Sequence, residues 1–210
     1  MSLKWLAVAL LMALTTFVAQ ATAQDQYMEE DWELSGLIGR TFISNQGIKG
    51  DGEIRFGKGL TFEVNYAARM LDRRFWSLYL EFPVAVNLDE DLNSDTFQVP
   101  EQFRSYFVTP AARFHVLSNT AISPWVSLGG GLGHFSESSK SLFGVPNRGK
   151  TGTTTGVFQA GVGIDVKGFK NVDFRLETRD FWSGVPQLNA NTGKSRQHNI
   201  FVAGGIVLHF

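Results

Sequence analysis

Four charged residues of alternating sign stand at every second position in the last quarter of the chain: Asp173, Arg175, Glu177 and Arg179. Successive side chains of a β-strand point to opposite faces, so a strand here would carry all four on one face. Unpaired charges in a narrow interior cost several kcal/mol each, so they must pair. The spacing therefore predicts an internal salt-bridge network, either as a plug or as a selectivity or gating device.

If the strands of this chain close into a barrel, charged residues on other strands extend this network across its interior, the lumen. The predicted lumen network consists of Glu63, Glu81, Arg113, Asp165, Asp173, Arg175, Glu177 and Arg179. In a closed ring of eight strands the seventh lies across from the third, which places Glu81 opposite Arg175, with Arg179 as the alternative partner. We interpret the network as a plug, and we predict that breaking one pair destabilises the barrel.

Alternating apolar and polar residues indicate the strands that must hold these side chains. Eight such segments can be placed, at 32–43, 60–69, 76–86, 106–116, 126–133, 158–166, 172–179 and 199–210. Most approach about ten residues, the length that a tilted strand needs to cross a bilayer. The faces of the first segment are ambiguous, because Arg40 shares a face with Leu34 and Ile38.

The links between these segments alternate in length. The long links are 44–59, 87–104, 136–152 and 183–197, and the short links are 70–74, 118–122 and 167–171. Membrane barrels have long loops on the cell surface and short turns facing the periplasm. Both ends of the chain then fall on the short-turn side.

The first residues differ in composition from the rest. Lys4 provides positive charge, residues 6–18 are mostly apolar, and residues 21–23 have the small-x-small form of a cleavage site. This apolar run is shorter than the roughly 20 residues of a spanning helix, and it is typical of a secretory signal. We predict a signal peptide at 1–23, a short segment at 24–31 and a barrel at 32–210. Export without cysteine excludes a disulfide framework.

The last strand is apolar on one face up to the chain terminus. The residues of this face that we predict to act in assembly are Val202, Ile206, Leu208 and Phe210. A closing strand with a C-terminal aromatic residue resembles the assembly signal of bacterial outer-membrane barrels. Over residues 32–210 the pattern resembles the small eight-stranded barrels of the OmpA/OmpX type. The resemblance implies an all-β, antiparallel up-and-down transmembrane barrel in the outer membrane of a Gram-negative cell.

A secreted soluble barrel of the lipocalin kind is the alternative fold, with the two faces exchanged. The glycine-rich polar face favours the membrane barrel, since the lumen of eight strands is narrow. Aromatic residues near the strand ends also suggest two interfacial girdles. They are Trp32, Phe75, Trp76, Phe169 and Phe210 on one rim, and Phe42, Phe103, Tyr106, Phe181, Trp182 and Phe201 on the other.

Two further motifs are better explained as loops. Residues 144–151 match the phosphate-loop pattern, but the β-branched, glycine-rich stretch that follows is a poor helix start. The alternating Asp89, Asp91, Asn93 and Asp95 resemble a calcium loop, but Ser94 occupies the glycine position. We expect no cofactor, no metal site and no nucleotide or nucleic-acid partner, the last because the net charge is only −1.

The function that these features favour is that of a non-enzymatic, porin-like envelope protein with a plugged lumen and four surface loops. Its expected partners are outer-membrane lipids, lipopolysaccharide and, during biogenesis, the barrel-assembly machinery. A narrow pore for small solutes is the first alternative. A lipid-modifying barrel enzyme is the second, although the local His-x-Ser motif of the lipid A deacylases is met only by His134 and the loop residue Ser136.

Overall fold

A computed structural model describes residues 31–49, 52–95, 99–117 and 120–210. The predicted signal segment and most of the segment at 24–31 lie outside the described residues. Strands dominate the described residues, with one short 3-10 turn at Leu142–Gly144. The strands are β1 Trp32–Ile43, β2 Gln46–Gly47, β3 Glu53–Phe56, β4 Leu60–Arg73, β5 Trp76–Ser94, β6 Gln102–Val108, β7 Ala111–Val116, β8 Ile122–Glu137, β9 Gly152–Phe169, β10 Val172–Gly184 and β11 Arg196–His209.

The strands form one closed antiparallel ring. Its order is β1, β4, β5, β6 with β7, β8, β9, β10 and β11, which pairs again with β1. Because β6 and β7 follow each other in the same place in the wall, the ring has eight wall strands. Closure removes every sheet edge from the wall, which a barrel in hydrocarbon requires. The predicted fold class, an eight-stranded antiparallel transmembrane barrel, is confirmed.

The fourth predicted segment differs from the observed strand. The ladder is interrupted at Thr109 and Pro110, and β6 and β7 flank this break with the same register on β5 and β8. Proline has no amide hydrogen and cannot donate to a ladder, which explains the interruption. The alternation of faces continues across it, so Arg113 keeps its inward position.

Most links between wall strands are shorter than predicted, because the strands extend beyond the alternating segments. β5 continues to Ser94, and the link 44–59 contains β2 and β3, of which β3 pairs with the far end of β5. Two of the short links contract to 74–75 and 170–171, and the third shifts to 117–121 with its length unchanged. We call the end of the barrel with these short links the turn end and the opposite end the loop end.

The facing of β1, which the sequence left open, is now defined. Glu33, Ser35 and Leu37 are buried in the interior, whereas Ile38 and Arg40 face outward. The ring closes at the turn end, where Trp32 and Phe210 exchange backbone hydrogen bonds of 3.1 and 3.0 Å. The last residue of the chain is therefore hydrogen-bonded to the first strand.

The outer surface of the ring is apolar. Each wall strand exposes large apolar side chains, such as Ile38, Val64, Phe82, Phe114, Leu128, Val162, Leu176 and Ile206. The inner positions of the same strands are buried and largely polar. Burying polar groups inside and exposing apolar groups outside is favourable only where the outer face meets lipid. No helix among the described residues is long and apolar enough to cross a membrane.

Candidate functional site: the barrel lumen

The centre of the lumen is filled by buried charged side chains, which we call the polar layer. Its members are Glu33, Glu63, Glu81, Arg113, Asp165, Arg175, Glu177 and Arg179. They come from β1, β4, β5, β7, β9 and β10, so the layer joins strands around most of the ring. Each side chain points inward because of strand alternation, and the ring then brings them together.

Arg179 is the first hub of the polar layer. Its Nη1 donates to Glu81 Oε1 at 2.7 Å, and its Nε donates to Glu177 Oε1 at 2.6 Å. The same Nε lies 3.3 Å from Glu63 Oε1. The guanidinium therefore joins β10 to both β5 on the far side of the lumen and β4.

Arg175 is the second hub. Its Nε and Nη2 donate to the two carboxylate oxygens of Asp165 at 2.7 Å each, a bidentate arrangement that is stronger than a single contact. Its Nη2 also lies 3.3 Å from Glu33 Oε2. Arg113 contacts the same Glu33 oxygen and lies 3.3 Å from Glu81 Oε2, so it joins the two hubs.

The preferred partner in the sequence prediction was wrong. Glu81 does not pair with Arg175; it pairs with Arg179, which had been named as the alternative, and with Arg113. The reason is register. Arg175 stands opposite Asp165 on the neighbouring β9, and the nearer carboxylate binds its guanidinium.

Asp173 lies apart from the polar layer, near the turn end. It is partly exposed and its Oδ2 is 3.0 Å from His209 Nε2. The other seven predicted residues are in the layer. The sequence prediction did not include Glu33. Its odd-numbered position puts it on the opposite face of the strand from Leu34 and Ile38, and that alternation could have indicated that it faces inward.

Trp125 packs among the three arginines and was also missed. Its ring centroid lies 5.7, 5.3 and 5.2 Å from the Cζ atoms of Arg113, Arg175 and Arg179. Its indole nitrogen donates to Asp165 Oδ1 at 3.2 Å. A side chain at Gly163 would collide with this indole, which explains why a glycine faces the lumen there.

The polar layer holds more carboxylates than guanidinium groups. The carboxylates are Glu33, Glu63, Glu81, Asp165 and Glu177, and the guanidiniums are Arg113, Arg175 and Arg179. Glu63 is the weakest member: among the described residues neither of its carboxyl oxygens has a hydrogen-bond partner. The arrangement can hold a network of ion pairs in which Glu63 has the fewest hydrogen bonds.

A second layer closes the lumen at the loop end. Its members, which we call the apolar layer, are Phe103, Phe107, Phe135, Phe181 and Phe201. Phe107 and Phe181 stack with ring centroids 4.7 Å apart and an interplanar angle of 3°. Phe135 packs edge-on against both Phe103 and Phe107. Ile54 of β3, Leu92 near the end of β5 and Leu188 of the link after β10 belong to the same buried cluster.

The prediction of an aromatic girdle around the outside of the loop end was wrong for three of its residues, which belong to the apolar layer. Phe103, Phe181 and Phe201 are at most 1% exposed inside the barrel rather than at a lipid interface. Strand phase contained this information, because Phe181 has the same parity as Arg179. Phe42, Tyr106 and Trp182 do face outward, although Tyr106 is only partly exposed.

The other sequence features have simple structural settings. Val202, Ile206, Leu208 and Phe210 face outward on the closing strand. Residues 144–151 lead directly into strand β9 rather than into a helix. Within the described ranges no three acidic or histidine side chains are placed to hold a metal ion.

Comparisons with known proteins reach the same architecture. Neisserial surface protein A is similar to this chain with a TM-score of 0.55 and 15% identity, over 85% of this chain and 97% of that chain. OprG from Pseudomonas aeruginosa is similar with a TM-score of 0.54 and 9% identity, over 86% of this chain and 95% of that chain. The N-terminal β-barrel domain of Pseudomonas aeruginosa OprF is similar with a TM-score of 0.50 and 10% identity, over 86% of this chain and 98% of that chain.

No protein-family model matches this sequence, and no match was found among curated proteins. At these identities the likeness is one of fold. With the apolar outer surface, it identifies the chain as an outer-membrane barrel with the eight-stranded fold of the OmpA/OmpX type.

Proposed function

We propose that this protein is a non-enzymatic component of the outer membrane whose lumen is sealed and whose loops make contacts at the cell surface. The observation that carries the proposal is the double closure of the lumen. An ion would have to cross the paired charges of the polar layer and then the stacked rings of the apolar layer. A desolvated ion in either layer is strongly disfavoured.

The proposal gives the two ends of the barrel different roles. The turn end, where β1 begins and β11 ends, faces the periplasm, and the loop end faces the medium. We retain residues 1–23 as a cleaved signal peptide and the apolar face of the last strand as the signal to the assembly machinery. Lipids and lipopolysaccharide are the partners of the outer wall.

Single-channel recording in planar bilayers tests the seal. We expect no conductance steps from the purified, refolded protein at neutral pH. Reproducible steps would support the narrow pore, and the excess of carboxylates in the polar layer makes that pore selective for cations.

The enzymatic alternative has one feature in its favour. His198 Nδ1 lies 2.6 Å from Asp180 Oδ2 on the outer wall, and a carboxylate orients a general base in this way. Mass spectrometry of lipid A from cells with and without the protein tests it. We expect identical lipid A. A mass change that disappears in the His198→Ala variant would support a lipid-modifying enzyme.

A further inference from the structure

A buried carboxyl group at the loop end holds the connection between two strands. Glu90 of β5 is fully buried, and its Oε2 accepts hydrogen bonds from the backbone nitrogen of Gly59 at 3.0 Å and from Asn87 Nδ2 at 2.9 Å. Gly59 belongs to the link 57–59, which joins β3 to the wall strand β4. Glu90 therefore fastens this link to β5.

A bulge in β5 brings Asn87 and Glu90 together. The register against β6 shifts between these two residues, so both face inward although they are three positions apart. Leu88 is the last large apolar residue that β5 exposes on the outer wall, and the exposed residues beyond it include Asp89 and Asp91. The Glu90 carboxyl group is therefore level with the surface loops, outside the part of β5 that spans the membrane.

The link 57–59 packs closely against this pair. A Cβ atom on Gly59 would lie 2.1 Å from Asn87 Oδ1 and 2.6 Å from Glu90 Oε2, so only glycine fits there. The backbone nitrogen of Gly57 also donates to the backbone oxygen of Asp91 at 2.9 Å. β5 thus holds the link by one backbone contact and by one side chain that can change its charge.

The strand on the far side of the link covers the lumen. β3 carries Ile54, which is fully buried in the same cluster as Phe103 and Phe107 of the apolar layer. Its ladder with β5 is short, running only from Ile54 to Phe56. A segment with so short a ladder opens more easily than the wall strands. The contacts of the link therefore help to decide how firmly this cover is held.

The Glu90 carboxylate is buried without a counter-charge. It forms no ion pair within the described ranges, and Asp89 and Asp91 on its own strand are like charges. Glu63, the inward charge of β4, contacts Arg179 in the polar layer. The cationic residues of the other elements packed against Glu90 have exposed side chains: Arg55 of β3, Lys58 of the link and Arg104 of β6.

Burial without a cation favours the neutral form of this group. It raises the pKa of the Glu90 carboxyl from its ordinary value of 4.5 to about 6, while the hydrogen bonds from Asn87 and Gly59 act in the opposite direction. Glu90 Oε1 and Asn87 Oδ1 have no hydrogen-bond partners among the described residues. A protonated carboxyl group gains a donor, and the oxygen of the adjacent amide is an acceptor. The neutral form can therefore make a hydrogen bond that the ionised form cannot.

We propose that Glu90 is a proton-dependent latch, which holds the cover of the lumen firmly when its carboxyl group is neutral and less firmly when the group is ionised. A carboxyl group whose pKa is higher in the latched state than in the released state stabilises the latched state below the ordinary value of 4.5. This stabilisation is lost as the pH rises through about 6. The latch adds to the sealed lumen a response of the loop end to the acidity of the medium.

Amide exchange at Gly59 tests the latch. The folded protein in phosphatidylcholine nanodiscs is measured by nuclear magnetic resonance between about pH 4 and about pH 8, and correction for the intrinsic exchange rate gives a protection factor. We expect this factor to fall by up to about 30-fold as the pH rises, which is the limit set by a pKa of about 6 against 4.5. Glu90→Gln keeps an acceptor for the Gly59 nitrogen without the charge, so its protection factor should stay high throughout.

Glu101→Gln is the matched control, because it removes an exposed carboxylate at the same end of the barrel. We expect it to keep the wild-type response to pH. A Gly59 protection factor that is constant with pH, or that falls on acidification, would overturn the proposal. An equal response in the wild type and in Glu90→Gln would do the same. Loss of the response in Glu101→Gln would overturn it too, because net charge would then be the cause.

A second measurement decides the question if Glu90→Gln does not fold, as read from the heat-modifiable mobility shift of the barrel in gel electrophoresis. In the wild type, the carboxyl carbon of Glu90 should titrate at about pH 6, together with the amide resonance of Gly59. A carboxyl carbon that titrates at its ordinary value of 4.5 would overturn the latch. Conductance steps at neutral pH would refute the sealed lumen and leave these titrations unchanged, so the two failures are distinguishable.

Discussion

Arg179 and Glu81 are 98 residues apart in the chain, and their side chains meet in the lumen with Nη1 and Oε1 at 2.7 Å. They belong to β10 and β5, which stand opposite each other in the ring of eight wall strands. Glu81 also accepts hydrogen bonds from Asn65 and Ser127. Both side chains are fully buried, so the pair holds opposite walls of the barrel together.

Breaking this pair from one side should destabilise the barrel. Glu81→Gln takes one carboxylate from both Arg179 and Arg113, and Arg179→Met takes the guanidinium from Glu177 and Glu63. Removing one partner from a buried ion pair costs about 3–5 kcal/mol. The double variant should recover part of the loss, with a coupling free energy of about 0.5–3 kcal/mol. Urea unfolding in detergent, followed by tryptophan fluorescence, measures these free energies. The matched cycle uses Glu81→Gln with Arg175→Met, which should couple more weakly because Arg175 binds Asp165 and Glu33.

Removing the carboxylate of Glu63 should have the opposite effect. Glu63→Gln removes a formal negative charge from the polar layer, at a side chain whose oxygens lack hydrogen-bond partners among the described residues. A buried carboxylate carries a desolvation cost of several kcal/mol, and the neutral amide carries less of it. We therefore expect the free energy of unfolding to be unchanged or higher, in contrast to Glu81→Gln. A loss as large as that of Glu81→Gln would show that Glu63 is a full partner of Arg179.

Truncating the apolar layer should weaken the loop end. Phe107→Ala removes a buried ring that stacks on Phe181, and large-to-small changes of this kind cost about 3–5 kcal/mol. Phe158→Ala is the control, because that ring is 49% exposed on the outer wall. Urea unfolding in detergent compares the two. Equal losses for both variants would mean that the apolar layer is not a packed core.

Deletion of Phe210 should reduce assembly. The residue exchanges two backbone hydrogen bonds with Trp32 and ends the apolar face of the closing strand. Without it the ring loses its last contact at the turn end, and the predicted assembly signal is removed. We expect much less heat-modifiable protein in the outer membrane while secretion continues. Phe169→Ser, at an exposed turn of the same end, is the control. An unchanged amount of folded protein in the deletion variant would argue against this role.

Several features of the barrel could be predicted from the sequence alone. The two-residue alternation decided which side chains face in and out on seven of the eight strands, and the terminal strand indicated how the ring closes. These are local properties, because the direction of a side chain in a strand depends only on its own phase. The inward position of Arg113 held even across the interruption at Thr109 and Pro110.

Partners within the lumen were decided by the tertiary structure. Whether Glu81 meets Arg175 or Arg179 depends on the register and tilt of strands that are far apart in sequence, and these are set by closure of the whole ring. Closure also gave β1 its facing, which brought in Glu33 and turned Arg40 outward. The five phenylalanines of the apolar layer became a core only when loop-end residues covered them. The position of a residue along its strand determines which face its side chain is on. Contact between side chains from distant strands requires the closed ring.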